Sequence, residues 1–239
     1  MATTSLSPTR EKERNAARTQ ELILDAAERL FAEKGYEETS LNEVGRAAGV
    51  SRATPGYFFG SKADLHRAVL DRCFEEVRHV VREGRARARA SGRAPEVVLA
   101  GAVSDYLDFI AARPNFVRLI QREALSDRRT LEGLPLRLVA GQEMLAAFRE
   151  ELGLDWANPD EAAHLLFSLV ALTWFPHIHG ETFGAVVGLD PCAPDFWDQR
   201  KQHVTELLLG WLRKRLLVQS AESRVQSVGS SGPALNPEP

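Results

Sequence analysis

The sequence predicts an all-α protein of about nine helices, and three observations carry that expectation. Apolar residues recur at three- and four-residue spacing through most of the 239 residues, the repeat of a helix with one buried face. Strand-type alternation persists nowhere. Glycines, prolines and Ser-x-x-Glu or Ser-x-x-Asp pairs fall where the periodicity starts and stops, as helix punctuation should.

Residues 1–16 are polar and read as a disordered arm. From Arg18 to Lys34, residues Leu22, Ile23, Ala26, Ala27, Leu30 and Phe31 make one apolar face, and Gly35 follows as a stop. Ser40 and Glu43 form a capping-box pattern at the head of a short helix whose inner side is Leu41, Val44, Ala47 and Ala48. Gly49 closes it. Ser51 stands as cap of a second short helix, predicted over 52–58. Pro55 falls in its opening turns, where a missing N–H costs little. Ser61 and Asp64 cap a longer helix over 61–82 that buries Leu65, Val69, Leu70, Phe74, Val77 and Val81. The charged stretch REGRARARASGRAP then reads as a linker near 84–94.

Pro95 opens the next helix at a position that tolerates proline, with Val103, Tyr106, Leu107 and Ile110 inward. Pro114 starts a shorter one through Phe116, Val117 and Ile120. A third spans about 127–152, interrupted by LEGLP. Residues 159–175 are apolar on nearly every side and predict a helix buried from several directions. A last helix over 195–217 carries Val204, Leu207, Leu208, Trp211, Leu212 and Leu216. The Ser/Gly/Pro-rich residues 219–239 read as a disordered tail.

Composition excludes some functions and leaves others open. No apolar run reaches the ~18–20 residues of a membrane span. The N-terminus is charged where a signal peptide needs an apolar stretch, so a cytoplasmic protein with no membrane partner is expected. Cys73 and Cys192 stand far apart and form no metal-ligand pattern. The net charge of −3 is unevenly spread: residues 1–90 hold 16 Lys/Arg against 14 Asp/Glu, and residues 91–239 hold 14 against 19. A local basic surface on the N-terminal part therefore leaves nucleic acid open.

The two short helices joined by AGVS form a helix-turn-helix, with Gly49 turning the chain, Val50 plugging the core and Ser51 capping. From this pattern alone, a DNA-reading unit and a purely structural helical hairpin both stand. The flanks add the Ala26-Ala27 and Leu30-Phe31 pairs, Gly35-Tyr36, Thr39-Ser40, Ala47-Ala48-Gly49-Val50-Ser51, then Tyr57, Phe59, Lys62 and Leu65. Over some fifty residues this order resembles the DNA-binding domain of the TetR/AcrR family of transcriptional regulators. The remainder matches the family only in length and helical content.

The resemblance implies a three-helix helix-turn-helix domain over 17–77. A long helix joins it to a helical ligand-binding and dimerisation domain over 78–218. It implies that a homodimer reads a palindromic operator in double-stranded DNA and is released by a small effector. Activation and ligand-enhanced binding are the minority behaviours. Carried onto this chain, Arg52, Ala53, Thr54, Gly56 and Tyr57 would line the major groove. Arg52 is suited to guanine O6/N7, and Thr54 to a thymine methyl or a phosphate. Thr39 and Ser40 at a helix N-terminus suit a phosphate, a role compatible with capping, and Lys62 would hold another. Phe59 reads as core and Phe58 is undecided. Many members carry an aromatic residue at the position of Gly56, so that contact is lost here or moves to Tyr57.

In the C-terminal half, the helices over 159–175 and 195–217 hold more large apolar residues than one side of a monomeric bundle needs. Two from each subunit would build an intersubunit four-helix bundle. Tyr106, Phe109, Phe116, Phe148, Phe167 and Trp174 are candidate effector-pocket walls. His177, with His179 beside it, is a candidate polar anchor. Few polar anchors in an apolar pocket point to an aromatic or acyl effector. No third ligand accompanies the His pair as a metal site, no cofactor motif is present, and GYFFGSK lacks phosphate-loop spacing. No enzyme is expected.

Overall fold

The computed structural model describes residues 8–92, 94–126, 130–156, 158 and 160–229. Among them the chain forms nine α-helices and no β-strand. They are α1 (Pro8–Lys34), α2 (Leu41–Ala47), α3 (Thr54–Phe59), α4 (Lys62–Ser91) and α5 (Pro95–Ala112). Then follow α6 (Pro114–Ala124), α7 (Pro135–Glu151), α8 (Glu161–His179) and α9 (Phe196–Gly229). A 3-10 turn, Thr130–Gly133, precedes α7, and a wide π-type turn, Gly180–Gly184, follows α8.

Several helices are longer than the apolar pattern predicts, for one shared reason. The periodicity marks where a helix is buried, whereas propensity carries it further into solvent. Helix α1 begins at Pro8, inside the expected arm, through a stretch rich in Glu, Lys, Arg and Ala. Helix α4 runs through the expected linker to Ser91, because Arg and Ala favour a helix there. Helix α9 continues into the expected tail as far as Gly229. Helix α8 passes Pro176 and ends at His179. Residues 1–7 of the arm, 127–129 of the third C-terminal pattern and 230–239 of the tail lie outside the described residues. Helix α7 itself starts at Pro135.

The chain divides into two compact units, Met1–His79 with Ile110–Gly141 and Val80–Phe109 with Gln142–Pro239. The first is built on α1, against which both α2 and α6 pack, while α3 packs on α2. Its core includes Ile23, Ala27 and Phe31 of α1, Val44 of α2, Leu65 and Val69 of α4, and Val117 and Leu119 of α6. This unit is larger than the expected 17–77, because α6 joins it. Leu22 and Ala47, expected inward, are exposed.

Polar groups also lock the first unit. The Arg72 guanidinium lies 2.6 Å from Glu28 Oε2, 2.7 Å from Asp25 Oδ1 and 3.3 Å from Glu21 Oε2. Burial works against the Arg72 charge, but hydrogen bonds to Glu28 and Asp25 more than offset it and raise its pKa. His66, fully buried, sets Nε2 3.2 Å from Glu123 Oε1 and meets the rings of Phe31 and Tyr36 edge-on. Arg122 donates to the carbonyls of Ala32 and Glu33 at 2.9 and 2.7 Å, so α6 supplies a C-terminal cap for α1.

In the second unit, α8 and α9 pack together. Leu165 and Leu169 of α8 and Val204, Leu208 and Leu212 of α9 are buried, with Leu99 and Val103 of α5. Helices α4 and α7 are tied by Arg82 to Glu143 and by Arg85 and Arg89 to both Glu150 and Glu151.

Candidate functional site

The turn between α2 and α3 is set by two glycines with different duties. Gly49 adopts φ +69, a left-handed conformation that favours glycine. Gly45, buried in α2, needs the absence of a side chain: a Cβ there would lie 2.9 Å from the Ser51 carbonyl oxygen. Val50 N–H donates to Gly45 O at 2.9 Å and closes the turn. At the head of α2, Ser40 Oγ accepts from Glu43 N–H at 3.2 Å. The Glu43 side chain turns instead to Lys34 at the end of α1, and that hydrogen bond holds its carboxyl below the ordinary range.

Helix α3 starts at Thr54, two residues later than predicted. Ser51 does not cap it. Its carbonyl accepts from Thr54 N–H at 3.0 Å, and its hydroxyl pairs with Thr54 Oγ1 at 2.7 Å. Ala53 occupies the cap position without a side-chain hydrogen bond. Arg52 and Ala53 therefore sit in a turn before the helix. Pro55, in the first turn of α3, is buried and anchors it. Tyr57 is 85% exposed, Arg52 and Ala53 are exposed, and Thr54 and Gly56 are half-buried. Phe58 and Phe59 are half-buried, so neither is a full core residue. A Cβ on Gly56 would meet only Leu41 Cδ1, at an ordinary 3.9 Å.

Two residues expected at phosphates are engaged within the chain. Thr39 is 1% exposed, and its hydroxyl donates to Gly35 O at 2.7 Å, so it fastens the loop after α1 and presents nothing to a ligand. Lys62 Nζ lies 4.2 Å above the Tyr36 ring and donates to Tyr36 O at 2.9 Å. It caps carbonyls after α1. Ser40 stays exposed at the N-terminus of α2. Helix α4 opens with a reciprocal cap: Ser61 Oγ donates to Asp64 Oδ2 at 2.5 Å and accepts from Asp64 N–H at 3.1 Å.

The second unit holds a cavity of about 110 Å³ between α4, α5 and α7. Of the expected walls, Tyr106 and Phe148 line it. Phe109 is buried and stacks on Tyr106, with centroids 6.3 Å apart. Trp174 stands behind Tyr106 and donates to its hydroxyl at 2.9 Å. The other three are misplaced by periodicity read without tertiary contacts. Phe116 belongs to the first unit, where it meets Phe74 edge-on. Phe167 is 75% exposed on the outer face of α8. His177 stacks on Trp197 with centroids 4.1 Å apart, and His179 lies beside the Phe175 ring. Sequence reading missed Gly84, Gly101 and Asp105 of this cavity. Gly101, inside a predicted helix, was the available signal for a gap, whereas Gly84 fell in the expected linker.

A tight helix-turn-helix braced by a long first helix, with Arg52 exposed in the turn and Tyr57 exposed on α3, has the geometry on which helix-turn-helix DNA-binding proteins are built. Residues 23–69 match the model of the family described as bacterial regulatory proteins, tetR family. The regulator TtgR of Pseudomonas putida is 36% identical over 73 residues, covering 30% of this chain and 35% of TtgR. The repressor BepR of Brucella suis is 27% identical over 178 residues, covering 70% and 83% of the two chains. In fold, the chain resembles the fatty acid degradation regulator FadR of Bacillus halodurans, with TM-score 0.61 and 18% identity over 80% of this chain and 97% of that one. Residues 23–69 therefore carry the N-terminal domain of the tetR family of bacterial regulatory proteins. The family and these relatives are regulators and not enzymes, and among the described residues no helix is long and apolar enough to cross a membrane.

Proposed function

We infer that the chain is a ligand-responsive repressor that binds palindromic operator DNA as a homodimer. The observation that carries this reading is the turn and helix Arg52–Tyr57. Arg52 has no intramolecular partner among the described residues, Tyr57 is the most exposed aromatic in the first unit, and neither serves the core. Arg52 suits a guanine edge, while Tyr57 and Ser40 suit phosphates. The domain organisation we adopt is a reading head on the first unit and a sensing and pairing half on the second, with α4 contributing residues to both.

Pairing is supported by an apolar stripe with no cover. On α8, Ala163, Phe167, Ala171 and Phe175 are exposed at helical spacing, and on α9 so are Leu207, Gly210 and Leu217. A second copy of these two helices would bury the stripe as a four-helix bundle. Two reading heads on a two-fold axis then fit half-sites about one helical turn apart. An effector in the cavity would favour a dimer whose reading heads are wrongly spaced for adjacent major grooves.

The test is binding to the DNA upstream of the chain's own gene across a range of salt. The wild type should bind it far better than random duplex. Arg52→Ala should cost about 1–3 kcal/mol, roughly five- to 150-fold, with an unchanged melting temperature. Equal affinity for both duplexes, with no effect of Arg52→Ala, would sink the reading. Phe167→Glu should convert the dimer to monomer in sedimentation.

A further inference from the structure

We propose that the cavity between α4, α5 and α7 is built for a small uncharged ligand of about one aromatic ring that carries a hydrogen-bond acceptor, received by the Tyr106 hydroxyl. This deepens the effector reading above and rests on it for its regulatory meaning, though not for its chemistry.

Size favours one ring over the long acyl effector that the sequence left open. About 110 Å³ is of the order of the ~150 Å³ engineered cavity that accepts benzene. The space exists because the facing positions are small. A Cβ on Gly84 would come within 3.4 Å of Asp105 Oδ2, whereas one on Gly101 would meet no atom within 4 Å. Ala102 of α5 and Ala147 of α7 complete the gap. Glycine inside a helix is unfavourable relative to alanine. At Gly101 the packing offers no compensating reason for it.

Charge selects a neutral ligand. The cavity is lined mainly by aliphatic side chains, and its four charged groups are already matched. Arg87 lies 2.5 Å from Asp105, and Arg85 pairs with Glu150 and Glu151. A charged ligand would lose its hydration and find no unmatched partner.

One polar group remains to orient the ligand. Tyr106 is 6% exposed. Its oxygen accepts from Trp174 Nε1, which can only donate, so the hydroxyl proton has no acceptor among the described residues. Burial pushes its ionisation well above the ordinary tyrosine range, and the Trp174 bond only partly opposes that. Tyr106 therefore stays a neutral donor at any physiological pH. A carbonyl or hydroxyl oxygen on the ligand would satisfy it.

The test is thermal shift and calorimetry on the full chain with phenol, toluene, benzoate and 1-decanol at low millimolar concentration. Phenol should raise the melting temperature by about 2–4 °C, with benzoate and 1-decanol giving no rise. Gly101→Leu, or Ala147→Leu from the opposite wall, should fold at an equal or higher melting temperature and lose the phenol response. Tyr106→Phe should weaken phenol about three- to tenfold and leave toluene unchanged. Benzoate or 1-decanol binding as well as phenol, an unimpaired response in both filled variants, or no response to phenol would each overturn the proposal. The same samples are then titrated with the upstream DNA. Failure to bind that DNA in the absence of ligand, with phenol binding intact, breaks the regulator reading alone, and ligand-free DNA binding with no phenol response breaks this proposal alone.

Discussion

Arg72 and Arg89 lie on the same helix, and each holds a cluster of carboxylates, yet they do different work. Arg72, in the first unit, has a side chain only 15% exposed and faces Glu28, which is buried too. Arg89, in the second, is 60% exposed and reaches Glu150 and Glu151 across the surface. The contacts look alike, but the solvent does not. Water screens the Arg89–Glu150 pair, and Glu151, only 12% exposed, keeps Arg85 when its Arg89 contact breaks, so little is lost. Removing Arg72 would strand a buried carboxylate. The first unit is thus held by polar groups that cannot be spared. The second unit keeps its charges at a cavity rim and on its surface, and leaves space inside.

The largest test of that contrast is Arg72→Met. It should destabilise the first unit by about 3–5 kcal/mol in denaturant unfolding followed at that unit, whereas Arg89→Met should cost under ~1 kcal/mol and lose even that in high salt. Equal costs would break the comparison. Next, Gly45→Ala drives a Cβ against the Ser51 carbonyl and should cost about 1–3 kcal/mol with loss of DNA binding. Gly56→Ala, one helix later, has room for its Cβ. It should stabilise the fold by up to ~1 kcal/mol while altering operator preference. A destabilised Gly56→Ala would mean that this glycine serves the fold.

The smallest expected effect concerns the cap of α4. Hydrogen bonds from the Ser61 hydroxyl and N–H hold the Asp64 carboxyl below its ordinary value near 3.8. A carboxylate with a depressed folded pKa contributes stability that is present above the unfolded value and lost as pH falls through the folded one. Ser61→Ala should therefore move the Asp64 titration upward in NMR and flatten the stability gain between acid and pH 5. An unmoved titration would show that the cap is not formed in solution.

Much of the first unit was legible because its function needs particular residue types at short spacing. Gly49 for a left-handed turn, Ser61 with Asp64 for a cap and the AAGVS turn itself are local requirements, and local requirements are written in consecutive residues. Thr39 and Lys62 show the limit of such reading. Both carry the polar groups that phosphate contact needs, and both spend them on carbonyls after α1. The pairing of His66 with Glu123 and the Arg122 cap join residues more than fifty positions apart, beyond any periodic signal.

By itself the sequence determined the helical class and the helix-turn-helix, because periodicity, turn chemistry and caps act over a few residues. Only the tertiary structure decided that α6 belongs with the first unit, that Phe116 and Phe167 stand away from the cavity, and that Gly84 and Gly101 border it. Burial and empty space are properties of what the rest of the chain brings alongside, and a one-dimensional pattern does not specify its neighbours.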